Sequence, residues 1–335
     1  MQINLISEVA KNQKIYKHFL KIADEQFLSS ILKILHKTPW KDGVSNKSLT
    51  FGNDDTFEIL KKAFCLGDTF RSKFEQAVSD NGLEKQRINR VHSSALLALL
   101  TFYSVSKEKP ITIKLGDKEI VFTNVAFEYK NLVGKDKQKT DHKSNIDITL
   151  YDGDTLESSN NILFLESKFS EYLALGQKKD ISNELYKDIY NQIFPSSTNT
   201  ESPISKKLEN NKIVLTTNDK HHHYCEGIKQ MISHYMGVLD FIQPSKCSNV
   251  YLGCILFDFE DDTIDTKIKG TDISLMEDYK QIYSGLCKKL NELTGPYAKP
   301  KNLHILNDCL TYQEVFRLKQ NREFLDRNVK TFYSL

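Results

Sequence analysis

The sequence predicts an α/β protein whose central sheet is flanked by helices. Three observations predict it. Residues 161–169, NILFLESKF, carry the short apolar run of a buried strand. Residues 145–151, NIDITLY, alternate apolar and polar side chains as a strand requires. Residues 224–242 show an amphipathic helical pattern that leads into a second apolar run at 249–259. With a long helical pattern at 83–105, the order around these runs is helix, strand, strand, strand, helix, strand.

Taken from the start, apolar residues at three- and four-residue steps through Phe19, Ile22, Phe27, Ile31, Ile34 and Leu35 predict helix. Pro39, Gly43 and a polar run at 45–53 break it, and a second helical stretch is expected from Thr56 to about Val78. Residues 1–82 therefore read as a helical N-terminal module. In the helix at 83–105, Ile88, Val91, Ala95, Leu99 and Phe102 form one stripe, widened by Leu96, Leu100 and Tyr103, so most of it should be buried. Residues 111–115 and 120–129 have the β-branched and aromatic content of a hairpin turning at Gly116-Asp117. The lysine-bearing segment 130–144 reads as a solvated loop, with phosphate contact as its other reading.

The strand at 145–151 and the strand at 161–169 are separated by a turn-rich link, which makes them hairpin neighbours. That pairing matters because of the charges. Glu166 and Lys168 lie two apart and leave one face of a segment otherwise built for burial, and an antiparallel neighbour brings Asp147 close to them. A polar, partly helical insertion is expected at about 171–222, and residues 261–335 read as a mostly helical extension with a helix near 275–293, a short strand at 303–306 and a last helix at 311–332.

Composition bounds the function. The net charge of +2 supplies no global attraction for a polyanion, so any nucleic-acid surface has to be local. The six cysteines include no C-x-x-C pair, which argues against a zinc knuckle or a dithiol redox site and fits a reducing, cytoplasmic compartment. The first residues lack the basic start and apolar core of a signal peptide, and the longest apolar stretch, 95–102, is too short to span a bilayer, so no membrane is expected.

On Asp147, on Glu166-Ser167-Lys168 and on the element order around them, the chain resembles the PD-(D/E)xK nuclease superfamily over about residues 83–260. The stretches NRVHSSALLALLTFY and EGIKQMISHY are similar to those of bacterial proteins classed as restriction endonucleases. The resemblance implies a restriction-endonuclease-like fold: a mixed central sheet flanked by helices, with an αβββαβ core and helical additions at both ends. It also implies a magnesium-dependent endonuclease acting on DNA, with Mn2+ able to substitute and a restriction or host-defence role. Asp147, Glu166 and the Ser167 carbonyl would hold the metal, and Lys168 would serve the attacking water. Gln230, on the helix after the E-x-K strand, would add a polar group, and a homodimer is expected because double-strand cutting usually needs two active sites. The proline of the motif is absent, since Ile146 precedes Asp147.

Other residues read more plainly. Glu84 sits where some relatives place another acid, but an acid at a helix start also suits the helix dipole. His92 and His234 read as packed or capping histidines. His221-His222-His223 reads as a solvated helix start, because three consecutive side chains converge poorly on one ion. Two other function classes fit fewer features: a non-catalytic nucleic-acid-binding or assembly module on the same fold, and a glycosidase using Asp147 and Glu166 as its carboxylate pair.

Overall fold

The computed structural model describes residues 53–78, 93–135, 141–169, 171–173, 179–181, 184–194, 204–209, 212–217, 225–243, 247–259, 274–333 and 335. Helices α1 (Asn53–Phe64) and α2 (Phe70–Ala77) precede α3 (Ser94–Phe102). Strands β1 (Ile111–Leu115), β2 (Lys118–Phe122), β3 (Asn124–Lys135), β4 (Asp141–Tyr151) and β5 (Asn161–Lys168) follow. Then come β6 (Lys179–Ile181), α4 (Lys187–Ile193), β7 (Ile204–Glu209), β8 (Lys212–Thr217), α5 (Cys225–Ile242) and β9 (Asn249–Leu256). The chain closes with α6 (Leu275–Asn291), β10 (Leu303–Ile305), β11 (Leu310–Thr311), α7 (Tyr312–Arg317) and α8 (Arg327–Tyr333).

The main sheet runs β10-β9-β5-β4-β3, with β11 also paired to β9. It is mixed: β9 is parallel to β5, β10 and β11, whereas β4 is antiparallel to both of its neighbours. Helices flank it, with α5 packed on β3 and β4 and α3 on β4 and β5. β5 and β9 are the interior parallel pair and are buried after their first residues, Asn161 and Asn249, which is why both read as near-continuous apolar runs. α3 is capped by Ser93, whose hydroxyl accepts the Leu96 N–H at 3.0 Å, and its residues 95–102 are all buried. A helix apolar on every side belongs inside, and this one lies against the sheet.

The predicted hairpin at 111–129 forms, turning at Gly116-Asp117, but its second strand ends at Phe122 instead of running on to Tyr129. Its first strand pairs only with β2, as a separate two-stranded sheet, and Asn124 begins β3 of the main sheet. The continuous β-branched run hides the break because local propensity does not say which sheet a strand joins. The predicted loop at 130–144 is also corrected, since β3 continues to Lys135 and β4 begins at Asp141. The insertion contains a three-stranded antiparallel sheet, β6-β8-β7, and the short helix α4. The last helix is two, α7 and α8. Between them buried Asn321 donates to the Val315 and Thr112 carbonyls and accepts the Thr112 N–H, bonds that a continuous helix would not leave free. Residues 1–52 of the expected N-terminal module, Glu84, His92 and His221-His222-His223 lie outside the described residues. Among the described residues, no helix is long and apolar enough to cross a membrane.

Candidate active site

Strand alternation sets the site on β5. Phe164 meets Phe241 of α5 at 5.4 Å between ring centroids, so Phe164, Glu166 and Lys168 face that helix. Ser167 faces the other way. Its hydroxyl lies 2.7 Å from the Tyr312 hydroxyl of α7 and donates to the Ser94 carbonyl of α3 at 3.2 Å.

The β4–β5 ladder ends at the pair Ile148–Leu165, so the two strands part where Asp147 and Glu166 would be opposite each other. In place of the next rung, the Ser167 N–H donates to Asp147 Oδ2 at 2.7 Å. The β3 side is irregular at the same level. Phe127 pairs with Ile148 and Tyr129 with Ile146, while buried Glu128 between them sits at φ +50°. Side-chain alternation in both strands steps by one residue here. Thr149 and Ala126 align with Phe164 toward α5, yet beyond the irregularity it is Tyr129, Asn131 and Ser144 that meet α5. Strain of this kind, about 1–3 kcal/mol for a non-glycine residue, persists only where the surroundings fix it.

Glu166 and Lys168 are each only 3% exposed, so they are not a surface pair. Lys168 Nζ is hydrogen-bonded to Glu166 Oε1 and donates to Gln230 Oε1 at 3.0 Å. The second Glu166 oxygen, Oε2, lies 2.5 Å from His234 Nε2, and His234 Nδ1 is bonded to the buried Ser144 hydroxyl. Gln230 and His234 are one turn apart on α5, so a single helix face holds both ends of the charged pair. Asp147, Glu166, Ser167, Lys168 and Gln230 are thus together, although the Ser167 side chain points to the opposite face.

The two carboxyl groups titrate in opposite directions. Burial, then Glu166 and Glu128, raises Asp147 well above the usual carboxylate range, against the smaller opposing pull of Lys168 and the Ser167 N–H. Burial would raise Glu166 as well, but Lys168 and His234 outweigh it and bring Glu166 down to about 2. Such divergence is how one site keeps two carboxyl groups in different protonation states. Among the described residues, no three His, Cys, Asp or Glu side chains are grouped so as to hold a metal ion.

Ser144 and Glu128 are additions to the residues picked out from sequence. His234 is packed, as expected, but onto Glu166. The available signals were its position four residues after Gln230 and, for Glu128, a lone acid within the apolar run NVAFEY.

A mixed sheet flanked by helices, with acids and a lysine gathered where two strands part, fits a restriction-endonuclease-like fold. The chain belongs to the family described as Restriction Endonuclease associating with ARP, REase-ARP, which matches residues 22–224, more than half its length. The matched segment contains Asp147, Glu166 and Lys168 and ends before Gln230 and His234. No curated protein and no solved structure matches the chain.

Proposed function

We propose that this protein is a magnesium-dependent endonuclease of the PD-(D/E)xK superfamily that hydrolyses DNA phosphodiester bonds in restriction or host defence. The observation that carries the reading is the buried Glu166–Lys168 pair beside Asp147 at the parting of β4 and β5. On this reading residues 83–260 form the αβββαβ nuclease core with an insertion at about 171–222, and residues 1–82 and 261–335 are additions to it. Double-strand cutting would call for a homodimer, the cysteine pattern for the cytoplasm, and the family description for association with ARP.

The donor set suits the metal. Mg2+ prefers oxygen and commonly takes one or two protein carboxylates, leaving other positions to water and substrate phosphate. Asp147, Glu166 and the Ser167 carbonyl would hold it, and Mn2+ would substitute. Asp147's titration is raised first by burial and then by the charges of Glu166 and Glu128, and a divalent cation would relieve the repulsion among these carboxyl groups. Bound there, the cation supplies charge neutralisation at the phosphoryl oxygens and a more acidic water. Lys168, held as its ammonium, orients the attacking water and neutralises charge growing on the phosphoryl group. Gln230 keeps the Lys168 ammonium in place through its Oε1.

Plasmid cleavage with Mg2+ tests the reading, comparing wild type with Glu166→Gln and Lys168→Ala. Glutamine is preferred to alanine at 166 because its amide oxygen can still accept from Lys168; breaking a buried pair from either side costs about 3–5 kcal/mol, so melts are read beside the rates of both variants. Each variant should lose roughly 10²-fold or more in cleavage rate while melting cooperatively. Equal activity in all three proteins would sink the assignment, and metal-independent DNA binding without cleavage would favour the non-catalytic module.

A further inference from the structure

The Glu166 carboxylate has both oxygens engaged, one by Lys168 and one by His234. These two engagements differ in kind. Lys168 is on the same strand and is the residue assigned to the attacking water, so its bond to Oε1 is one that the chemistry has to release. His234 belongs to a helix fixed to the sheet, is 3% exposed, and has its other ring nitrogen bonded to Ser144 of β4.

We propose that His234 is a positioning residue for Glu166: it holds Oε2 and leaves Oε1, now bonded to Lys168, as the oxygen offered to a divalent cation. The inference rests on the metal-dependent reading above. A carboxylate only accepts, so His234 Nε2 donates to Glu166, while Nδ1 is bonded to the Ser144 hydroxyl, a group that can either donate or accept. The result is a buried chain of bonds from Ser144 through His234 to Glu166. Its ring cannot turn without breaking a buried bond at one end or the other.

The fold builds this contact at two points. The step in alternation at Glu128 and Asp147 turns Ser144 toward α5; with unbroken alternation from Thr149, Ser144 would face away from it. Gly237, one turn after His234, lets the helix come close. A Cβ at that position would lie 2.7 Å from Asn131 Cβ and 3.3 Å from Ser144 Cβ. An ordinary packed histidine requires neither feature, whereas a histidine that must reach across to both β4 and β5 requires both.

Outer groups that orient a metal-binding side chain typically contribute 10- to 100-fold in metal affinity. Calorimetric titration of the full chain with Mn2+ and with Mg2+, in the absence of DNA, tests the role directly. His234→Ala should weaken binding by about 10- to 100-fold. His234→Gln, whose amide can donate from near the Nε2 position, should recover most of the loss, and Ser144→Ala should weaken binding by less than His234→Ala. Thermal melts identify any variant that fails to fold, and His234→Gln and Ser144→Ala carry the test if His234→Ala does. Unchanged affinity in a folded His234→Ala protein, or equal losses in the Ala and Gln variants, would overturn the positioning role while leaving the metal site standing. A wild-type chain that binds neither ion would overturn the metal-dependent reading itself, and this proposal with it.

Discussion

Asp147 keeps its proton far more tightly than an ordinary aspartate, and its neighbour Glu166 gives its proton up far more readily. For Asp147 the cause is burial first, then the charges of Glu166 and Glu128, so the folded chain binds this proton better than the unfolded chain, where the group titrates near about 3.9. The stability linked to it is complete below that ordinary value and is lost as pH rises through the raised folded value. Glu166 runs the other way: its contribution is present above the ordinary glutamate value and is lost as pH falls toward about 2. In EDTA, Asp147→Asn is therefore expected to melt higher than wild type, by a margin that widens as pH rises from the ordinary aspartate value toward the raised folded one. The asparagine oxygen can still accept the Ser167 N–H, so the comparison isolates the charge. A margin that does not change with pH would contradict the linkage. On the proposed metal-dependent reading the same substitution should abolish cleavage, because Asp147 would be one of the carboxylates that hold the cation. The meeting of Asp147 with Glu166 and Lys168 is legible in the sequence because a short turn-rich link makes two strands neighbours and a period of two puts 166 and 168 on one face. The Ser144–His234–Glu166 chain is not legible, because it depends on a change of alternation within β3 and β4 and on how closely a distant helix approaches.

Elements with strong periodicity were readable and junctions were not. β5, β9 and α5 announce themselves through apolar runs and a 3.6-residue stripe, since burial of a whole face is written into every turn. The break at Thr123 and the break between α7 and α8 depend on single residues finding tertiary partners, Asn321 above all, and no local pattern encodes those. The junction of α5 with the sheet is the most sensitive of these contacts. Gly237→Ala would gain up to about 1 kcal/mol of helix propensity. Against it stands a 2.7 Å approach to Asn131 Cβ, an atom fixed to the backbone that no rotamer change can move away. Overpacking of this kind costs about 1–3 kcal/mol, so the variant should be less stable in urea, and its divalent-ion affinity should fall in the same direction as that of Ser144→Ala. A gain in stability would show that α5 can withdraw from β3 and β4 without cost.

At the scale of the whole molecule, segments far apart in sequence close over the face of the sheet opposite α5. Tyr312 of α7 reaches the Ser167 hydroxyl, and Phe332 of α8 meets Phe64 of α1 edge to face at 5.4 Å. Tyr103, just after α3, joins these parts: its hydroxyl donates to Asp326 at 2.5 Å and accepts the Gly67 N–H at 3.3 Å, while its ring packs on Phe70. Burial and then the bond to Asp326 raise the phenol above its ordinary range, so it stays protonated and donates at any pH the protein would meet. Tyr103→Phe keeps the ring and removes only these bonds. A hydrogen bond to a charged group contributes about 1.5–3 kcal/mol, and the Asp326 side chain, 33% exposed, recovers part of that from water, so the loss should be near the lower end of that range. The urea midpoint should fall with an unchanged m-value, and cleavage per folded molecule should not change, because the bonds brace Gly67, between α1 and α2, and Asp326, just before α8, rather than Glu166 or Lys168. A midpoint equal to that of wild type would mean that the two ends are held by ring packing alone. A fall in cleavage at full folding would mean that the brace reaches the site, through α7 and the Tyr312–Ser167 contact.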